Sequence, residues 1–409
     1  MLNKLLFLNA LFLLFLLFFG FQIGGINTRW IATALLCIES VFFIGKKTKQ
    51  WIRWGPVRKM FLRLVIYVAV VLTITYIHGV GDLTYFSSCL RLVIFYLMLV
   101  LLWFVAPNNY KNRLTELLIY IFFVQSLIII TAFFIPQFLQ IVRSFQYENM
   151  TEITDRYLNN GTFRGLALAA EQFHGLTVSF GLVAILALQK YKVTGHIQWI
   201  LMFLLLFIAN LFVGRTGMFG FFIALACYII SSGKKVIMST LKFGIVVPLF
   251  VFAIYEAIPD TTKAVLDESV FSWAFQMFYN YGETGRFETS SSSDVLKMWQ
   301  VSYNIKTFLF GDGQFMNSDG TYYMHTDVGY FRQMFYGGVF FAIYSIVFVY
   351  KTMIKRLKGH VFEFGMFAFL LIAHAKGLDI MYAVEPMMIV FVLYIDNNLK
   401  TKIYEYTKN

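Results

Sequence analysis

The stretch "IQWILMFLLLFIANLFVGRTGMFGFFIALACYII", Ile197 to Ile230, holds two apolar runs joined by the short polar turn "GRTG". A helix of about 20 apolar residues crosses the hydrocarbon core of a bilayer, and each run approaches that length. Arg215 stands in the turn with no acid near it in sequence. A charge beside hydrocarbon is costly and by default marks a site or a pathway. The competing reading is an arginine that snorkels to lipid headgroups. A turn flanked by Gly214 and Gly217 leaves little freedom to snorkel, which favours function.

The rest of the chain has the same character. Its 409 residues are 59% hydrophobic and 14% charged, with 47 Phe and 6 Pro. A soluble domain carries about 45–50% apolar and about 25% charged residues. The composition predicts an all-α integral membrane protein that forms one polytopic domain over 1–409. About twelve spans are expected, near 5–24, 29–45, 61–78, 88–106, 114–136, 165–188, 197–213, 216–232, 238–258, 327–350, 361–376 and 379–396. The N-terminal run lacks a small-residue cleavage site and reads as a retained first helix. Cys37, Cys89 and Cys227 lie in or beside apolar runs without metal-ligand spacing and read as packing residues.

Lysine and arginine bias sets the direction of insertion. With the N-terminus cytoplasmic, the basic loops "GKKTKQWIRWGPVRK" and "KTMIKRLKGH" and both termini fall inside. Eight of the thirteen arginines but only four of the twenty-one lysines then fall outside. Positive-inside sorting accounts for the lysines and not for the arginines. A guanidinium binds phosphate through a planar fork, whereas an ammonium is a point charge. An arginine-rich outer face therefore suggests an anionic ligand, against the plainer reading of headgroup contacts.

Two outer loops are long, 137–164 and 259–326, and long loops tend to carry function. In the second, "DVLKMWQVSYNIKTFLF" has helical apolar spacing and predicts an amphipathic helix over the outer mouth. Polar residues gather near these loops. "FRGLALAAEQFHGL" would open the span 165–188 with Arg164 at its end. Glu171 and His174, three apart, would then share a helix face, with Glu171 about 10 Å deep. "MHTDVGYFRQMFYGGVFF" brings His325 and Asp327 to a span entrance. His325 suits general-base work, and Asp327 reads first as a helix cap. Glu385 is an acid on the last span that needs a partner, for which an outer arginine would serve. Lys376 and Asp379 read as a structural pair across the last outer hairpin. There is no phosphate-binding glycine loop, zinc spacing or hard-metal acidic cluster in the sequence, so no metal or cofactor is expected.

In their order, "FRGLALAAEQFHG", "GRTG", "GRFE", "FLFGDGQF" and "HTDVGYFRQMFYGGVFF" resemble the bacterial O-antigen and polysaccharide polymerase family, over about residues 160–345. The similar O-antigen ligases share the layout. Asp327 departs from the pattern, since ligases tend to show Asn after the His. The resemblance implies a metal-independent glycosyltransferase of the integral-membrane (GT-C-like) kind in the bacterial inner membrane. It would transfer a polyprenyl-pyrophosphate-linked glycan to another lipid-linked repeat, in lipopolysaccharide or related polysaccharide synthesis, with a chain-length regulator as a possible partner. It further implies that Arg164, Arg215 and Arg286 hold the pyrophosphate and that His325 acts as base; by its own chemistry Glu171 is a second candidate to accept the hydroxyl proton. Tyr322, Tyr323, Tyr330 and Trp299 are candidate sugar platforms. The packing this demands brings Arg164, Arg215, Arg286 and His325 to one cavity, with Glu171 and His174 deeper.

Two other functions compete. A ligase would pass the glycan to lipid A core, and genetic neighbourhood would separate it from a polymerase. A flippase for lipid-linked oligosaccharide would need charges along a path through the bundle. The charges here cluster at one face instead, beside one very long loop.

Overall fold

The computed structural model describes residues 2–51, 55–106, 114–159, 163–232, 255–256, 260–286, 288–354 and 360–406. The chain is an all-α membrane protein, and the sheet among the described residues is a hairpin with two residues per strand, Gln22–Ile23 against Ile26–Asn27. Its first five helices are α1 (Leu2–Phe19), α2 (Thr28–Trp51), α3 (Gly55–His78), α4 (Thr84–Val105) and α5 (Leu114–Phe134). Two shorter ones follow, α6 (Pro136–Ser144) and α7 (Glu148–Asn159). The centre is built by α8 (His174–Thr194), α9 (Gln198–Leu211) and α10 (Thr216–Ser232). The long loop holds α11 (Asp260–Val265), α12 (Gln276–Thr284), α13 (Ser290–Met298) and α14 (Ile305–Phe310). The chain then runs through α15 (Gly329–Met353), α16 (Val361–His374) and α17 (Val384–Tyr406).

Among the described residues five helices, α3, α4, α5, α8 and α15, are long and apolar enough to cross a membrane. That is fewer than the twelve expected. Apolar stretches of α1, α9, α10 and α16 fall short of that length, and the expected span 238–258 lies outside the described residues except for 255–256.

The middle helix is α8. Every residue from Gly175 to Leu188 is buried, as expected of a helix that is apolar all round and enclosed by others. It packs on α5, α9, α10, α16 and α17. Where lipid removes the hydrophobic drive for helix association, small residues let backbones approach and gain dispersion contacts. Gly181 of α8 and Gly220 of α10 do this: a Cβ on Gly220 would lie 2.5 Å from the Gly181 Cα. Phe122 of α5 is edge-on to both Phe18 and Phe180, at 5.1 and 5.0 Å.

Two irregular segments shape the end of the bundle where α8, α10, α15 and α17 begin. The first is Phe163–Phe173, which the expected span 165–188 would make helical from Gly165 on. Side-chain amides take over its backbone carbonyls: Gln146 Nε2 donates to Gly165 O (2.9 Å) and Ala167 O (2.8 Å), and Gln172 Nε2 donates to Ala167 O (2.8 Å) and Ala169 O. Irregular backbone at depth persists only with such internal partners. The helix therefore starts at His174, and Glu171 does not share a helix face with it.

The second is a break in α15 at Gly337–Gly338. It frees the carbonyls of Phe335 and Tyr336, which accept from the N–H groups of Asp312 (2.6 Å) and Gly313 (3.0 Å). Gly338, at φ +79°, leaves no room for a Cβ against Leu309 O. The end of α14 is thereby pinned to α15.

The expected single amphipathic helix over 294–310 is two helices, α13 and α14. Asn304 caps α14 by accepting from Thr307 N–H at 2.8 Å, and Thr326 Oγ1 donates to Met298 O at the end of α13. Trp299, at the break, packs on Phe331.

Candidate functional site: a cationic cavity joined to an apolar one

Arg215 is held by the turn from α9 to α10. The Thr177 hydroxyl donates to Asn210 Oδ1 or Gly214 O, each 2.7 Å away, and accepts from Gly217 N–H at 3.0 Å. Asn210 Nδ2 donates to Gly214 O at 3.0 Å. A Cβ on Gly217 would lie 2.4 Å from Thr177 O, so glycine is required for this contact. The fixed turn carries the Arg215 guanidinium over the Trp273 ring at 4.6 Å, where Nη1 donates to Gln276 Oε1 at 2.8 Å.

Arg164 approaches the same indole from the irregular segment. Its guanidinium lies 4.9 Å from Trp273, 4.7 Å from Tyr157 and 4.9 Å from Phe173. Nε and Nη2 donate to Val213 O at 3.3 and 3.2 Å. Two guanidiniums thus share one aromatic ring. Lys376, after α16, lines the same cavity, as do His174, Thr177 and Thr216.

The cavity measures about 330 Å³. Its one acid, Asp294, is exposed and 3.6 Å from Lys297. Burial is the largest cause lowering each cation, opposed by Tyr157 at Arg164 and by Asp327 at Lys376. Arg164 falls below the usual guanidinium range chiefly by burial. Arg215 falls to about 10 by burial and by Arg164. Lys376 falls to about 8 by burial, then by Arg215 and Arg164. Arg215 and Lys376 stay largely charged at neutral pH.

A second cavity of about 420 Å³ adjoins the first. Arg215, Thr216 and Lys376 line both. Its other walls are mostly apolar, including Phe219, Phe222, Phe278, Leu296 and Trp299. Helix α13, from the long loop, forms one side. Together the cavities present three cations at one end and a hydrophobic chamber at the other.

No family model matches this chain, and no curated protein or solved structure does.

The sequence-predicted residues separate into three groups. Arg164, Arg215 and His174 meet at the cavity. Arg286 and His325 do not line either cavity. Arg286 is exposed and 4.0 Å from Glu288, and His325 is exposed on a turn with positive φ. Both sit in the long loop, whose fold cannot be read from local pattern.

The third group is a buried polar cluster beside the cavity. Glu385 pairs with Arg29, whose Nη2 also donates to Phe18 O at 2.9 Å, so the acid on the last span does have an arginine partner. Glu171 accepts from Phe173 N–H at 3.3 Å. Its carboxyl rises to about 6 by burial and by the nearby Glu385.

Lys376 and Asp379 do not pair. Asp379 is fully buried and bonds His174 Nε2 at 3.1 Å. That frees Lys376 for the cavity. Asp327 is not a helix cap, because Val328 precedes α15 and supplies no side-chain bond. Burial raises the Asp327 carboxyl, opposed by Arg332, His174 and Lys376. Tyr330 donates to Leu371 O at 2.8 Å and packs edge-on to His374, which gives it a packing role between α15 and α16.

Sequence reasoning missed Trp273, which carries no local signal inside a polar loop, and Lys376, which it assigned to the wrong partner. Asn210 and Thr177 were findable as polar residues in otherwise apolar spans.

Proposed function

We propose that the chain is an integral membrane glycosyltransferase that moves a glycan from a polyprenyl-diphosphate carrier to another lipid-linked repeat. The reading includes about twelve spans and cytoplasmic termini, a bacterial inner-membrane location, and the site on the outer side. The observation that carries it is the junction of the two cavities at Arg215, Thr216 and Lys376. A lipid diphosphate is an amphiphile with a multiply charged head and an apolar tail. The cations match the head, and the chamber beside them matches hydrocarbon.

The chemistry follows from charge. When the glycosyl bond breaks, negative charge grows on the diphosphate oxygens. Cations already in place stabilise that charge without reorganisation, and one oxyanion-stabilising donor is commonly worth about 3–4 kcal/mol. Trp273 keeps the two guanidiniums oriented by stacking, leaving their remaining N–H donors for phosphate.

The test uses the full chain in nanodiscs with a polyprenyl-diphosphate-linked glycan. Saturable binding that a neutral polyprenol does not compete, together with glycan extension, is the expected result. Equal binding of the neutral lipid would sink the proposal. Orientation has its own test. Ser318 is exposed in the long loop. Ser318→Cys, in a background with Cys37→Ser, should react with a membrane-impermeant thiol reagent on intact spheroplasts. Reaction only after lysis would reverse the topology.

A further inference from the structure

The reaction above needs a group to take the proton of the attacking hydroxyl, and the resemblance assigned that work to His325. The geometry points to His174 instead, as the proton acceptor for the acceptor-sugar hydroxyl, with Asp379 as its positioning residue. This inference rests on the glycosyl-transfer reading.

Three observations carry it. First, His174 is the histidine that lines the cationic cavity beside Arg164, Arg215 and Lys376. His325 is exposed and lines neither cavity, and Glu171 lies toward Arg29 and Glu385 and lines neither.

Second, His174 is built as an oriented base. A general base needs a fixed tautomer, and a carboxylate on the far ring nitrogen supplies it. Asp379 Oδ2 lies 3.1 Å from His174 Nε2, and Asp379 is fully buried. Nε2–H then donates to the carboxylate, which leaves Nδ1 unprotonated on a ring that lines the cavity.

Third, the backbone is shaped around this contact. Asp379 N–H and Ile380 N–H donate to His374 Nδ1 at 3.3 and 3.4 Å, fixing the turn that carries the carboxylate. A Cβ on Gly377 would lie 2.4 Å from His174 Nε2, so only glycine lets the turn close on the ring.

The acceptor hydroxyl gives its proton to His174 Nδ1, and its oxygen bonds to the donor's anomeric carbon. The bond from that carbon to the diphosphate oxygen breaks, and the lipid diphosphate leaves with the electron pair. The imidazolium, stabilised by Asp379, later returns its proton to water or to the diphosphate. The charges facing the ring are Asp379 and Lys376 from the turn after α16, Glu171 from the irregular segment and Asp327 from the start of α15, with His374 at the end of α16.

The experiment measures diphosphate-lipid binding and glycan transfer in nanodiscs, across pH, for wild type, His174→Gln and Asp379→Asn. His174→Gln should bind the lipid diphosphate within about threefold of wild type and lose kcat by about 100-fold or more, the usual scale of general-base catalysis. Wild-type kcat should fall on the acid side as the ring protonates, and the residual His174→Gln rate should lack that limb. Asp379→Asn should move the limb to lower pH. Wild-type kcat in His174→Gln, or the same acid limb in both, would overturn the inference. Should His174→Gln fail to fold, a wild-type profile without an acid limb overturns it equally. A wild type that neither binds nor transfers would refute the glycosyl-transfer reading itself.

Discussion

Two groups of half-buried cations lie at the same end of the bundle and have opposite environments. Arg29 sits against Glu385 and Phe18 O, so its charge is neutralised inside the protein. Among the described residues, Arg164 and Arg215 have aromatic faces, a carbonyl and an amide as neighbours and no carboxylate in an ion pair, while Lys376 has the Asp327 carboxyl near it without a salt bridge. The first arrangement is complete as it stands. The second is stable enough to exist because guanidinium is weakly hydrated and stacks well, yet it leaves charge unspent. The difference teaches what separates a neutralised cation from one left available to an anion near hydrocarbon. The sign of the charge is the same and each cation is at least partly buried, so the partner decides.

The largest expected effect breaks the closed pair. Glu385→Ala leaves Arg29 buried without its counter-charge, which typically costs about 3–5 kcal/mol. A marked drop in thermal midpoint in detergent is the expected outcome. A midpoint unchanged from wild type would mean that Arg29 finds water or lipid phosphate, and the contrast between the two groups would collapse.

Next in size is Arg215→Ala, which should abolish detectable transfer while shifting the thermal midpoint far less than Glu385→Ala. Arg215→Lys should restore little, because an ammonium cannot reproduce the fork or the indole stacking. Full activity in the lysine variant would reduce the position to a generic positive charge.

A smaller effect concerns pH. Lys376 is lowered to about 8 by burial and then by Arg215 and Arg164. In the proposed site the charged form would bind the anion, so binding should take up a proton and affinity should fall as pH rises through about 8. Near pH 9 the Lys376 contribution should weaken by about tenfold relative to its full value. Lys376→Met should bind more weakly at pH 7 and show a flatter profile from 7 to 9. A slope identical to wild type would place the titration elsewhere.

The smallest change tests the scaffold. Thr177→Val keeps the shape and removes the hydroxyl that Gly217 N–H donates to. A loss on the scale of one buried hydrogen bond, about 1–3 kcal/mol including the unsatisfied partner, is expected in stability. Diphosphate affinity should fall several-fold through the loosened Arg215 turn. Unchanged affinity would show that Trp273 and Gln276 alone position the guanidinium.

Legibility in the sequence followed the range of the signal. The apolar runs of α8, α9 and α10 were plain, and so were Arg215 in its glycine-flanked turn and the need of Glu385 for an arginine. The start of α8 was misread because "GLALAAEQF" has helical composition. The side-chain amides that hold it irregular include Gln146, which belongs to another part of the chain. The break between α13 and α14 was hidden for a similar reason, since Thr326 and Phe331, later in the chain, help fix it.

The sequence by itself therefore determined the class of the molecule, an all-α membrane protein, and singled out Arg164, Arg215 and His174. Composition and short apolar runs suffice for that, because the bilayer and the backbone impose the same demand on every segment. Only the tertiary structure decided which charges meet. It put Trp273 between two arginines, gave Asp379 to His174 rather than to Lys376, and left Arg286 and His325 away from the cavity. Those outcomes depend on the close crossing of α8 and α10 at Gly181 and Gly220 and on the pinned turns around them. Electrostatic partnership is a property of distances between segments far apart in the chain, and such distances exist only once the helices have packed.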